Sequence, residues 1–138
     1  MYNWQKLSLE EKELSLNPKK AVIEHPKLQS IATSSAKKFR DAHPNKYLDI
    51  TYGKRVNQTL DIFLPKTINN NPVQLYFHGG YWIARDKFDH SHLAKPAINN
   101  NIIHVSVNYD LSPDVTLDII VEETYECLEW IIKNINDY

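Results

Sequence analysis

The chain has 138 residues, of which 42% are hydrophobic and 11% aromatic, enough for one small domain with an ordinary core, so disorder is not expected. Sixteen Lys and Arg stand against seventeen Asp and Glu for a net charge of −1, and the basic residues are scattered, which argues against nucleic acid as a partner. Cys127 is the single cysteine and excludes an internal disulfide, no apolar run approaches the roughly 20 residues that span a bilayer, and the charged, broken stretch 1–20 is unlike a signal peptide, so a cytoplasmic location without membrane contact is expected.

Residues 1–40 read as helical and polar. Ser8 and Glu11 have capping-box spacing, Asn17-Pro18 breaks the helix, and 28–39 forms a second amphipathic piece. The expected organisation is a helical appendage over 1–40 and a core domain over 41–138. Short strands follow at 47–52 and 59–64, with the turn at 53–57; in the second, Leu60, Ile62 and Leu64 alternate with Asp61 and Phe63. After a polar loop, 73–77 is a mainly apolar strand suited to a sheet interior. Residues 87–98 suggest a helix weakened by Pro96, and 102–107 another buried strand, completing a βαβ unit. From 116 to 135, Leu117, Ile120, Val121, Thr124, Leu128, Ile131, Ile132 and Ile135 recur at three- and four-residue steps, the mark of an amphipathic helix. Antiparallel strands followed by βαβα predict an α/β sheet whose second half would come next.

Glycine is scarce, three in the chain, yet Gly79 and Gly80 are adjacent and follow an apolar strand directly: Leu75-Tyr76-Phe77-His78-Gly79-Gly80-Tyr81-Trp82. Absent side chains let consecutive backbone N–H groups point into one cavity, which is how a site stabilises the oxyanion of acyl transfer.

Four blocks extend this string: Leu60-Asp61-Ile62-Phe63-Leu64-Pro65; His78 to Trp82 with Asp86-Lys87; Asn108-Tyr109-Asp110-Leu111-Ser112-Pro113; and Val115-Thr116-Leu117. In order and spacing they resemble the arylformamidase (kynurenine formamidase) branch of the α/β-hydrolases, which shares such features with carboxylesterases of the hormone-sensitive-lipase type. The resemblance covers about residues 34–130. It implies the N-terminal half of an α/β-hydrolase sheet, with Gly80 and Tyr81 as oxyanion N–H donors, Gly79 shaping the turn, His78 supporting the loop and Trp82 lining the substrate pocket. One such donor is typically worth ~3 kcal/mol in the transition state.

The same family places its nucleophile in Gly-x-Ser-x-Gly after the strand that follows the 116–135 helix, and the acid and histidine later still. None of these is in this sequence. The expectation is therefore a sheet truncated before the nucleophile strand, without a catalytic triad and inactive alone. The complete protein would hydrolyse a small ester or N-formyl amide without a cofactor. The alternative is a non-catalytic remnant or subunit that binds a small molecule or a partner chain, with self-association through the exposed edge of strand 73–77.

Other polar groupings have simpler readings. Asp86, Asp89, His90 and His92 could suggest zinc, but residues two apart on a helix diverge, and a solvated helix start with no metal is expected. Ser-x-x-Lys occurs at Ser34 and Ser35 without the companion motifs of that nucleophile class. His104 reads as a satisfied core histidine, Tyr109 as packing under the loop, and Cys127 as buried.

Overall fold

The computed structural model describes residues 3–138. Ser8 Oγ accepts from the Glu11 N–H at 3.2 Å and the Glu11 carboxylate accepts from the Ser8 N–H at 2.8 Å, the reciprocal cap that starts α1 (Leu9–Leu16). The Asn17 side chain accepts from the Lys19 N–H in the short α2 (Pro18–Ala21). Helix α3 (His25–Ala42) begins with Pro26 in its first turn, where the missing N–H costs nothing.

Four strands follow: β1 (Lys46–Thr51), β2 (Thr59–Phe63), β3 (Val73–Phe77) and β4 (Ile103–Val107). They form one mixed sheet in the order β1-β2-β4-β3. The β1–β2 and β2–β4 pairs are antiparallel and β3–β4 is parallel. Helix α4 (Ala94–Asn99) lies in the crossover from β3 to β4, and α5 (Leu117–Asn134) follows β4. This is the antiparallel start and βαβα continuation expected from the hydrophobic pattern.

Both faces of the central strands are covered, which corrects the simple alternation read in 59–64. Leu60 and Ile62 join Val105, Val107, Cys127 and Ile131 in the apolar core on the α5 side. Asp61, Phe63, His104 and Ser106 point the other way and are equally buried. That second face lies under α3 and the 3-10 segment Lys87–Leu93: Phe39 of α3 packs on Phe63 with ring centroids 5.3 Å apart, and Lys87 reaches Asp61.

Three further expectations change. Strand β3 has the exposed edge expected of it, bonded only to β4, but is half-buried along most of its length instead of buried like a sheet interior. The helix expected over 87–98 is a 3-10 segment followed by α4, and its start is not solvated, because Lys87 and Ser91 are buried. Helix α5 buries Ile120, Glu123, Cys127 and Ile131, whereas Leu117, Val121, Leu128 and Ile132 remain exposed. The buried stripe is rotated toward Glu123, whose carboxylate accepts the Asp110 N–H at 2.8 Å at the start of the preceding loop. Among the described residues no helix is long and apolar enough to cross a membrane.

Candidate functional site

The site grows from the C-terminal end of β3. After Phe77 the chain enters His78, which is buried, then Gly79 and Gly80. Gly80 has φ +138°, and a Cβ there would lie 1.9 Å from the Ala84 carbonyl oxygen, so only glycine fits. Gly79, by contrast, faces open space. Tyr81 and Trp82 follow with φ +62° and +60°, left-handed positions that side chains rarely occupy. The turn is pinned by the Ile83 N–H donating to the Gly80 carbonyl at 3.3 Å and the Ser112 N–H donating to the Trp82 carbonyl at 2.7 Å. Among the described residues, the N–H groups of Gly80 and Tyr81 donate to no protein acceptor.

Beneath the turn is a polar frame that the sequence reading only partly foresaw. His78 Nε2 donates to Asn108 Oδ1 at 3.1 Å, and its Nδ1 lies 2.9 Å from the Gly79 carbonyl oxygen. Asn108 Oδ1 also accepts the Lys87 N–H at 3.0 Å, while Asn108 Nδ2 donates to Asp86 at 2.7 Å. These two partners fix which way the Asn108 amide faces. Tyr109 stacks on the His78 ring with centroids 4.5 Å apart, and its hydroxyl donates to the His78 carbonyl; burial raises the Tyr109 phenol above its ordinary range. Asn108 and Asp86 lie within the sequence blocks with nothing local to mark a role for them; a polar residue directly after the wholly buried strand β4 is the available signal.

A second frame ties α3 to the sheet. Asp61, fully buried, receives both Arg40 and Lys87, the latter at 2.9 Å, and its Oδ1 accepts the Asp49 N–H at 2.8 Å. Asp49 stands at φ +56° in the bulge of β1, bonded to Lys87, which with Arg40 holds its carboxyl below the usual range. The sequence offered no local sign of this four-residue cluster.

Two cavities border the turn. One of about 360 Å³ is lined by His78, Gly79, Gly80, Tyr81, Trp82 and Tyr109. The other, about 700 Å³, lies between the loop 79–85 and the N-terminal helices. Every residue named for the oxyanion turn, its support and the pocket thus lines one concave surface.

The remaining candidates fall elsewhere. His104 is held by Gln74 Oε1 at 2.9 Å and Ser106 Oγ at 3.1 Å, and burial pushes its ring down to about 4. Burial pushes the Cys127 thiol up to about 12, far from a reactive thiolate. His90 stacks on His78 with centroids 6.1 Å apart, and Asp86 is turned to Asn108, so these two do not converge on a common ligand point. Among the described residues no three His, Cys, Asp or Glu side chains are gathered to hold a metal. Ser34, Ser35, Lys37 and Lys38 are exposed on α3.

Residues 74–138, from β3 and its glycine turn through α5, match a family model described as the alpha/beta hydrolase fold. The chain has the α/β-hydrolase fold. It is 25% identical to kynurenine formamidase of Danio rerio over 143 aligned positions, which cover 96% of this chain and 47% of that protein. It is 32% identical to probable carboxylesterase 7 of Arabidopsis thaliana, over 63% of this chain and 30% of that one. A solved structure from Silicibacter sp. tm1040, described provisionally as a thioesterase, superposes with TM-score 0.75 at 27% identity over 81% of this chain and 43% of its own. The chain is therefore similar to proteins of formamidase and carboxylesterase type, and spans less than half the length of those it matches.

Proposed function

We propose that this chain provides the oxyanion-stabilising part of a serine hydrolase that cleaves a small carboxylic ester or an N-formyl amide. The observation that carries the reading is the pair of N–H groups at Gly80 and Tyr81, left without protein acceptors in a turn that His78, Asn108 and Tyr109 hold from below. Donors fixed in advance stabilise developing negative charge without reorganising during the reaction. A carbonyl placed in the 360 Å³ cavity has these amides on one side and the Trp82 ring, suited to an acyl or aryl group, on another. Residues 1–40 form the helical appendage and 41–138 the hydrolase portion in this reading.

Acyl transfer also needs an activated nucleophile, and the chain has no Gly-x-Ser-x-Gly. His78 does not supply the base, since its Nε2 is committed to Asn108. The 138 residues alone are accordingly inactive. Purified chain assayed with p-nitrophenyl acetate and with N-formylkynurenine should give no turnover above solvent; saturable turnover that scales with protein would overturn this assignment of parts.

A second reading is favoured by two features, the free edge of β3 and an exposed apolar row on α5 of Leu117, Val121, Leu128 and Ile132. A non-catalytic subunit would use either feature to bind a partner chain or a second copy. Sedimentation of the chain across a concentration series separates the two, since stable assembly without substrate binding favours the subunit.

A further inference from the structure

The larger cavity differs from the smaller in charge. Its floor is the Gly79–Gly80–Tyr81 turn, and its walls include Arg85 from the loop and Lys19 from α2. The Arg85 side chain leaves the loop beside the amides: its Cγ is 3.0 Å from where a Cβ on Gly80 would stand. Arg85 has φ +85°, a conformation that side chains rarely adopt and that persists only where the surroundings impose it.

Neither cation is neutralised. Among the described residues no carboxylate lies within ion-pair distance of Arg85 or Lys19, whereas Arg40 and Arg55 each meet carboxylates. The acid in the same wall, Glu13, is taken by Lys20 at 2.5 Å. The acids next to Arg85 in sequence are also engaged, Asp86 by Asn108 and Asp89 by Thr33. His90, which lines the cavity as well, is held below its ordinary range by burial first and then by its neighbours His78 and Arg85, while Asp89 opposes them.

Resting on the reading above, we infer that this cleft selects substrates bearing a carboxylate, with Arg85 as its anchor and Lys19 at the rim. A guanidinium presents paired N–H donors that match a carboxylate, and in a partly enclosed cleft such a charge-assisted contact is stronger than in open water. Arg85 lies five residues beyond Gly80 on a loop that doubles back. The ester or formamide carbonyl therefore meets the amides while the carboxylate of the same small molecule reaches the guanidinium. The substrate class is an acylated or formylated carboxylic acid, in place of a neutral ester.

The test compares two probes on the ¹⁵N-labelled chain by NMR: formanilide, which is neutral, and 2-formamidobenzoate, which adds a carboxylate. Both should shift the Gly80 and Tyr81 amides, with 2-formamidobenzoate binding at least about tenfold tighter, the ratio that one well-placed ionic hydrogen bond supplies. Only the carboxylate probe should move the Arg85 Nε–H signal. Arg85→Gln should bring the carboxylate probe down to the level of formanilide, and Arg85→Lys should keep part of the preference; a dispersed spectrum shows that each variant is folded. Equal affinity for the two probes, or a preference that persists in Arg85→Gln, overturns the inference and leaves the hydrolase reading standing. Failure of both probes to reach Gly80 and Tyr81 overturns both.

Discussion

His78 donates from Nε2 to Asn108 Oδ1 across 3.1 Å, joining the turn after β3 to the residue that follows β4. The same Asn108 oxygen accepts the Lys87 N–H, so one amide sets the positions of two chain segments. Asn108→Leu, nearly equal in size, would leave both buried donors without a partner. At about 1–3 kcal/mol for each buried unsatisfied group, the variant should lose about 2–6 kcal/mol in urea denaturation. A loss below about 0.5 kcal/mol, the range of ordinary surface changes, would remove Asn108 from its place in the frame.

The two glycines should respond very differently. Gly80→Ala drives a Cβ into the Ala84 carbonyl and retains an unfavourable φ, so the turn must shift, at a cost of at least about 1 kcal/mol. Gly79→Ala meets nothing within 4 Å and should be neutral or slightly stabilising. Thermal melts of both variants decide it: equal effects would contradict the loop geometry.

Asp61 is the counter-ion of two buried cations. Asp61→Asn leaves Arg40 and Lys87 under-compensated beneath α3, and removal of one partner from a buried ionic group typically costs about 3–5 kcal/mol. Replacing Arg40, Asp61 and Lys87 together by Met, Leu and Met should recover much of that loss, since the desolvation of the charges goes with them. If the single and triple variants are equally unstable in urea, packing and not charge is the reason for the cluster.

Stability should also depend on pH through His104. Burial favours the neutral ring, lowering it from 6.5 to about 4 in the folded chain. Between those values the unfolded chain binds the proton and the folded chain does not, so stability falls as pH drops from 6.5 toward 4. The loss approaches its full size, on the order of 3 kcal/mol, once pH is below both values. His104→Gln removes that dependence. Urea midpoints at pH 7 and pH 5 should therefore differ less in the variant than in the parent chain; an unchanged difference assigns the acid sensitivity to other groups.

The parts legible in the sequence are those whose cause is local. The Ser8–Glu11 cap, the β1–β2 hairpin and the glycine turn each depend on residues a few positions apart, and each stands where the pattern put it. Asp61 was not legible as a buried acid, because what buries it comes from Arg40 and Lys87, 21 and 26 residues away. A polar residue alternating with Leu60 and Ile62 reads as solvent-facing until the helix above it is known. Asn108 meets His78 from 30 residues away for the same reason. Arg85 carries no glycine to advertise its left-handed backbone, so the cation beside the turn emerged only from the fold.

In the proposed function, the amides of Gly80 and Tyr81 form the receptor for a carbonyl oxygen that gains negative charge. Titration of the ¹⁵N-labelled chain with formanilide tests it most directly. These two N–H resonances should move downfield together and saturably, with smaller shifts at Trp82 and in the Trp82 indole. Saturable binding that leaves both amides unmoved, or shifts confined to another surface, would contradict it.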